Sequence, residues 1–395
     1  MRLRWTWVLA AMLAALALAV AGCGGGDDDD DDDAAADDDA TDDDAADDDA
    51  ADDDAADDDT EPTFDGGWEW VPIDGAICRD GTDTGVMVRA SEGSDKLLIL
   101  LQGGGACYSP STCADNPSHF DINDAATKSA TLNTGILNNT NDANPVKDWN
   151  VIFVPYCTGD VFAGSEPEGV VGGVDGTQAY VGYANMKLFA AEAVDRFGTA
   201  ANVLLAGESA GGFGTMFNYK TVADAFAPTV VDLFDDSAPL PADDTVLSPC
   251  YQLLLTFQFG GEDLVDEVCP DCITPDGDGY SEFAVYYAET YPDAVFGLYS
   301  ELQDETIRDF FGSGQNDCTG TDLVPGAAFE AALKDLRDNT MEPTGRWGTY
   351  FKTGEEHTVV MYDDRFFDDT VDDTTVAEWL TDLLAGTITQ LDPTD

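Results

Sequence analysis

Six short apolar runs, each about the length of one strand, set the architecture open to this chain. They are Leu97–Leu101, Val151–Pro155, Asn202–Ala206, Val230–Phe234, Val295–Tyr299 and Trp347–Phe351. Near-continuous apolar character, in place of strict alternation, is what a strand covered on both faces needs. Stretches with helical spacing lie between the runs. Tyr183–Phe197 puts Met186, Phe189, Ala190, Ala193, Val194 and Phe197 on one face, and Gly212–Phe226, Ala327–Arg337 and Thr375–Leu384 read the same way. Strands alternating with helices predict an α/β fold with a doubly wound, mostly parallel sheet. Residues 243–291, rich in acids and holding three cysteines, read as an insertion or cap region.

Not all 395 residues can join that core. Met1–Gly22 couples a basic start, Arg2 and Arg4, to an apolar run from Trp5 to Ala21, the pattern of an export signal and short for a bilayer span. Val20-Ala21-Gly22-Cys23 resembles a bacterial lipobox, which implies cleavage before Cys23 and acylation of that cysteine. Several acyl chains on one residue would anchor the protein stably to a membrane. A plain secretory signal with an incidental cysteine is the alternative. Residues 27–59 then hold 22 aspartates in Asp/Ala repeats. Such a segment cannot bury apolar surface and repels itself, so it reads as an extended, solvated tether. As a flexible coil, residues 24–60 would span roughly 35 Å. Weak calcium collection by its carboxylates is the lesser reading. The chain thus divides into a signal peptide (1–22), a lipidated cysteine with its tether (23–60) and one globular domain (61–395). The location implied is the bacterial cell envelope, and Gly24 after the cysteine, where inner-membrane retention favours aspartate, points to the outer membrane or cell surface.

Charge narrows the partners. Setting aside the tether's 22 aspartates and the signal's two arginines leaves 58 acids against 14 bases, a formal charge of −44. Such a surface excludes nucleic acid and repels anionic lipid heads and polyanionic substrates until salt screens them. The composition suits a saline setting. Beyond Cys23 there are eight cysteines, an even number that in an exported chain reads as up to four disulfides. Cys269 and Cys272 form a C-x-x-C, but no second pair has matching spacing, so zinc is a poor alternative. Asp276-Gly277-Asp278-Gly279 lacks the spacing of a full calcium loop and reads as a polar turn.

Chemistry enters at Gly207-Glu208-Ser209-Ala210-Gly211, a G-x-S-x-G between an expected strand and an expected helix. In that context the tight turn needs its glycines, lifts the serine hydroxyl above the sheet edge, and aims the Ala210 N–H at a developing oxyanion. The bland alternative is a glycine-rich turn that merely packs closely. Gly103-Gly104-Gly105 follows the strand Leu97–Leu101, where esterases of the α/β-hydrolase type carry a glycine-rich oxyanion loop; the Gly104 and Gly105 amides are the candidate donors. Only two histidines exist, His119 and His357. The order serine, acid, histidine along such chains selects His357 as base, since His119 precedes Ser209. Asp304, just beyond Val295–Tyr299 and ahead of a helical stretch, is the candidate acid, with Asp235 and Asp236 as runners-up. No metal or organic cofactor is called for.

The same residues resemble the pectin acetylesterase/Notum family of carboxylesterases. The resemblance rests on Cys78-Arg79-Asp80-Gly81, on Leu100-Leu101-Gln102-Gly103-Gly104-Gly105-Ala106-Cys107, on Gly135-Ile136-Leu137, Asn144-Pro145 and Trp149-Asn150, on Pro155-Tyr156-Cys157-Thr158-Gly159-Asp160, on Gly207–Gly212 and on Asp236-Ser237. Gly105 stands where the family usually has tryptophan. Gln303-Asp304 matches the family's later acid, which demotes Asp236. The resemblance implies disulfides Cys78–Cys157 and Cys107–Cys113, leaving the pairing of Cys250, Cys269, Cys272 and Cys318 open. It also implies hydrolysis of acyl esters, with acetyl groups on polysaccharide as the leading substrate. Longer acyl chains on lipid or protein are a second option, and a non-catalytic surface-binding protein on the same fold is a third.

Overall fold

All six apolar runs form strands. The computed structural model describes residues 62–393 apart from 273–278, 319 and 321. Cys23, the tether and the Asp276–Asp278 turn lie outside the described residues. In chain order the strands are β1 (Glu69–Ile77), β2 (Asp83–Arg89), β3 (Lys96–Leu101), β4 (Asn150–Val154), β5 (Glu166–Gly169), β6 (Gln178–Tyr180), β7 (Asn202–Glu208), β8 (Val231–Asp236), β9 (Phe296–Glu301), β10 (Trp347–Lys352), β11 (Thr370–Val371), β12 (Thr374–Thr375) and β13 (Gln390–Leu391). Nine of them make one sheet in the order β1-β2-β4-β3-β7-β8-β9-β10-β13. Within this sheet the β1–β2 and β2–β4 pairings are antiparallel; β5–β6 and β11–β12 form separate antiparallel pairs. The remaining pairings are parallel, as the doubly wound reading requires.

Alternate residues of the central strands feed two apolar layers. Leu97, Ile99, Leu101, Val203, Leu205 and Leu233 pack into one, with the helices Gly182–Phe197 and Ala210–Phe226. Leu98, Leu100, Leu204, Ala206 and Phe234 pack into the other, with Trp379 and Leu380 of the helix Val376–Leu384. In the predicted Tyr183–Phe197 face, Met186, Phe189, Ala190 and Ala193 are buried, while Val194 and Phe197 sit half-buried at its end.

Three departures from the sequence reading have physical causes. β1 and β2 add to the six expected strands: β1 alternates exposed and buried residues and carries a proline and a glycine, and the apolar run of β2 is only Val86-Met87-Val88. β7, β8 and β9 run past their apolar stretches into Glu208, Asp235-Asp236 and Ser300-Glu301, polar residues that the ladder nonetheless keeps in register. The predicted helix Ala327–Arg337 stops at Asp335 and continues as a π-helical turn, Leu336–Met341. That turn keeps Leu336 and Met341 buried while Arg337 reaches Asp392 at 2.8 Å.

Between β8 and β9 the chain runs through the helices Pro249–Phe259, Glu262–Val268 and Glu282–Thr290. Four disulfides stitch the loops: Cys78–Cys157, Cys107–Cys113, Cys250–Cys318 and Cys269–Cys272. The last bonds the C-x-x-C to itself, which removes both thiolates from any zinc reading. Among the described residues no helix is long and apolar enough to cross a membrane.

Candidate active site

The polar strand ends gather at the carboxyl edge of the sheet. Ser209 follows β7 directly and takes φ 54, ψ −120, a conformation that costs a non-glycine residue about 1–3 kcal/mol. Its neighbours make the turn possible. A Cβ on Gly207 would stand 2.2 Å from the Gly211 carbonyl oxygen, and one on Gly211 would stand 2.1 Å from that of Leu101. The Ser209 N–H donates to the Asp236 carbonyl at 2.8 Å, which ties the turn to the neighbouring strand. Ala210 then opens a 17-residue helix whose first N–H groups have no partner within the helix.

The glycine loop lies against this turn. A Cβ on Gly103 would meet the Ser209 Cβ at 3.0 Å. The next two carbonyls are pinned: Asn116 Nδ2 donates to Gly104 O at 2.6 Å, and the Tyr156 hydroxyl donates to Gly105 O at 2.8 Å. Arg79 holds the support behind them, donating to the carbonyls of Cys113 (3.0 Å) and Asn116 (2.8 Å). Among the described residues no carboxylate forms an ion pair with it, and burial pulls its pKa down. Gly105 has φ 75, which suits glycine, and the Phe310 ring comes within 3.2 Å of where its Cβ would be.

His357 and Asp304 meet. Nδ1 of the imidazole lies 2.7 Å from Asp304 Oδ2, and Asp304 is fully buried. The other oxygen, Oδ1, accepts from the Ile307 N–H at 3.0 Å, so the same carboxylate caps the helix Glu305–Gly312. The two loops are also joined through their backbones. Leu302, Gln303 and Glu305 donate N–H bonds to the carbonyls of Lys352, Gly354 and Glu355 at 2.8, 3.0 and 3.1 Å. Burial pulls the His357 pKa down, but the Asp304 hydrogen bond and charge, with Asp236 and Glu208, lift it above the ordinary value. Nε2 is buried and makes no hydrogen bond among the described residues, so none joins it to Ser209 Oγ here. In unliganded sites such bonds are often long and tighten only around substrate.

Other candidates fall elsewhere. His119 sits on the surface beside Thr82 (2.8 Å), Asp80 (3.4 Å) and Asp121 (3.5 Å). His119, Asp121 and Asp124 bring potential ligand atoms within 4.8 Å of one another, an exposed cluster of a kind common without metal. Asp235 is buried and accepts the Ala238 N–H at 3.0 Å. Asp236 turns its carboxylate to the backbone of the histidine loop, where Oδ2 accepts from Val359 and Val360 at 2.8 Å each. Burial pushes its pKa up to about 7, against those donors. Beyond their place in the family resemblance, sequence reasoning gives Asp236 a role only as a runner-up acid and Tyr156 none, and it gives none to Glu301 or Asn116. Glu301 accepts the Glu356 N–H at 2.6 Å and so braces the same loop. The one available signal was polar residues at the ends of apolar strand runs.

Fold and serine turn together define a protein of the α/β-hydrolase type. The pectinacetylesterase family profile matches residues 71–252. Palmitoleoyl-protein carboxylesterase notum2 of Xenopus laevis is 36% identical over 152 residues, which are 37% of this chain and 30% of that protein. The inactive palmitoleoyl-protein carboxylesterase notum1b of Danio rerio is 35% identical over 96 residues, 23% of this chain and 68% of that protein. The Drosophila Wnt deacylase Notum superposes with TM-score 0.60 at 18% identity, over 83% of this chain and 97% of that one. The chain belongs to the pectin acetylesterase/Notum family. Its aligned part spans about a third of the length of the longer curated relatives.

Proposed function

We propose that this chain is a serine carboxylesterase in which Ser209 is the nucleophile, His357 the general base and Asp304 the residue that orients the imidazole. The observation that carries the reading is the 2.7 Å contact of buried Asp304 with His357 Nδ1, which leaves Nε2 unpaired at the same sheet edge as the strained serine turn. Nδ1 donates to Asp304, so Nε2 is the nitrogen left to accept the Ser209 proton. Ser209 attacks the ester carbonyl, and the Gly104, Gly105 and Ala210 amides hold the oxyanion. The imidazolium returns its proton to the leaving alkoxide. Water, deprotonated by the same histidine, then releases the acid and restores Ser209. The pinned Gly104 carbonyl supports the Gly105 part of the oxyanion assignment, because it fixes the peptide plane that carries the Gly105 N–H before substrate arrives.

The leading substrate is an acetyl ester on polysaccharide, in keeping with the family profile and with a surface unsuited to strongly anionic polymers. The relatives named as palmitoleoyl-protein carboxylesterases favour a second reading, a longer acyl chain on protein. We also propose export and anchoring to the cell envelope through acylated Cys23, with residues 24–60 as spacer. A fluorophosphonate probe tests the enzyme reading: folded wild type is labelled and Ser209→Ala is not. Unlabelled, folded wild type would leave a binding protein, as the inactive relative allows. Nitrophenyl esters of increasing chain length then separate acetyl from long-chain preference, and palmitate labelling lost in Cys23→Ser tests the anchor.

A further inference from the structure

Three non-glycine residues with left-handed backbones converge at one junction: Ser209 (φ 54), Ser237 (φ 65) and Thr358 (φ 61). They belong to three separate segments, and Asp236-Ser237 joins the other two. The Asp236 carbonyl accepts the Ser209 N–H at 2.8 Å. Its Oδ2 accepts the N–H groups of Val359 and Val360, both at 2.8 Å. Its Oδ1 accepts the Ser237 hydroxyl at 2.9 Å, and that hydroxyl oxygen accepts the Thr358 N–H at 3.2 Å. Both residues are fully buried. Strained backbone at a junction persists only where the surroundings over-determine it, and this pair supplies the determining bonds.

We infer that Asp236, with Ser237, is a positioning residue that sets the distance between the Ser209 turn and the His357 loop. The inference rests on the proposed roles of Ser209 and His357. Asp304 fixes the imidazole within its own loop but makes no bond to the serine side. Asp236 is bonded to both sides, so it acts on the gap the proton must cross. The charged groups around His357 are Asp304 beyond β9, Asp236 at the end of β8, Glu208 at the end of β7, and Arg365, which donates to the carbonyls of His357 and Thr358 at 3.0 and 3.1 Å.

Asp236→Ala and the near-isosteric Asp236→Asn, each in the full chain, test this. Asp236→Ala should lower kcat on a short nitrophenyl ester about 100-fold with KM little changed, the effect of misplacing reacting groups by about 1 Å. Asp236→Asn keeps an acceptor for Val359 and Val360 and should recover at least about tenfold of that loss. A second readout does not need turnover: in a His119→Ala background the single histidine's ring signals in a ¹³C–¹H spectrum report His357 alone. They should shift or broaden in Asp236→Ala and return toward wild type in Asp236→Asn. If both variants keep wild-type kcat and unmoved ring signals while only Tm falls, Asp236 is a structural buttress and the inference is overturned. If wild type has no esterase activity, the ring signals alone decide: displaced signals support the positioning role, unmoved signals refute it.

Discussion

Asp304 does two jobs with its two oxygens, one on the His357 ring and one on the Ile307 N–H. Asp304→Asn keeps an oxygen for one of them but loses the charge that favours the productive imidazole tautomer. Its kcat should fall about 10⁴-fold with the helix cap and the fold intact, read by steady-state kinetics beside far-UV circular dichroism. The pH profile carries a sign as well. Burial opposes protonation of His357, yet Asp304 and the other facing acids raise its pKa above the ordinary 6.5. Turnover needs the neutral base, so the acidic limb of kcat/KM should lie above 6.5 in wild type. In Asp304→Asn that limb should move to lower pH. A limb that moves up, or stays, would contradict the assignment.

At the level of elements, the site depends on β3, β7 and the helix Ala210–Phe226 approaching more closely than side chains allow. Gly211→Ala puts a methyl 2.1 Å from the Leu101 carbonyl oxygen, with the backbone at the end of β3 in the way. The helix start should be pushed off β3, with probe labelling of Ser209 at least about 100-fold slower and Tm lowered. Unchanged labelling would mean that the turn tolerates a wider spacing than the structure shows. Much of this was legible beforehand. The six central strands and the serine turn follow from apolar runs and motif spacing, because buried parallel strands and a glycine-flanked serine leave strong local signals; the choice of Asp304 over Asp235 and Asp236 leaned on the family resemblance as well. β1, β2 and the Asp236 junction were not legible, for opposite reasons. β1 alternates like any half-exposed segment. Asp236 is one of many aspartates, and its partners Val359 and Val360 lie more than 120 residues away, beyond the reach of any local pattern.

For the molecule as a whole, the acids that matter most are the buried ones. Burial raises Asp232 to about 6 and Asp236 to about 7, and also raises Asp160, Asp235, Glu208 and Glu301. A carboxyl with a raised folded value holds its proton more tightly folded than unfolded. Its contribution is complete below the unfolded value, ordinarily 3.8 for aspartate, and is lost as pH rises through the folded value. The window is therefore about pH 4 to 7, and repulsion within the acidic surface acts in the same direction. Calorimetry should give a higher Tm at about pH 5.5 than at about pH 8, and about 1 M salt should narrow the difference by screening the exposed part. A Tm that drops on acidification over that range would show that exposed ion pairs dominate instead. One mechanical consequence remains, from the three backbone bonds that rivet Lys352–Glu355 to Leu302–Glu305. On the proposed roles, base and counter-charge are then carried as one jaw, with β7 carrying the other and Asp236 bonded to both. A ligand that strained the Asp236 bonds would leave the Asp304–His357 pair intact and stretch only the first step, so a badly fitting ester would be held without being cut.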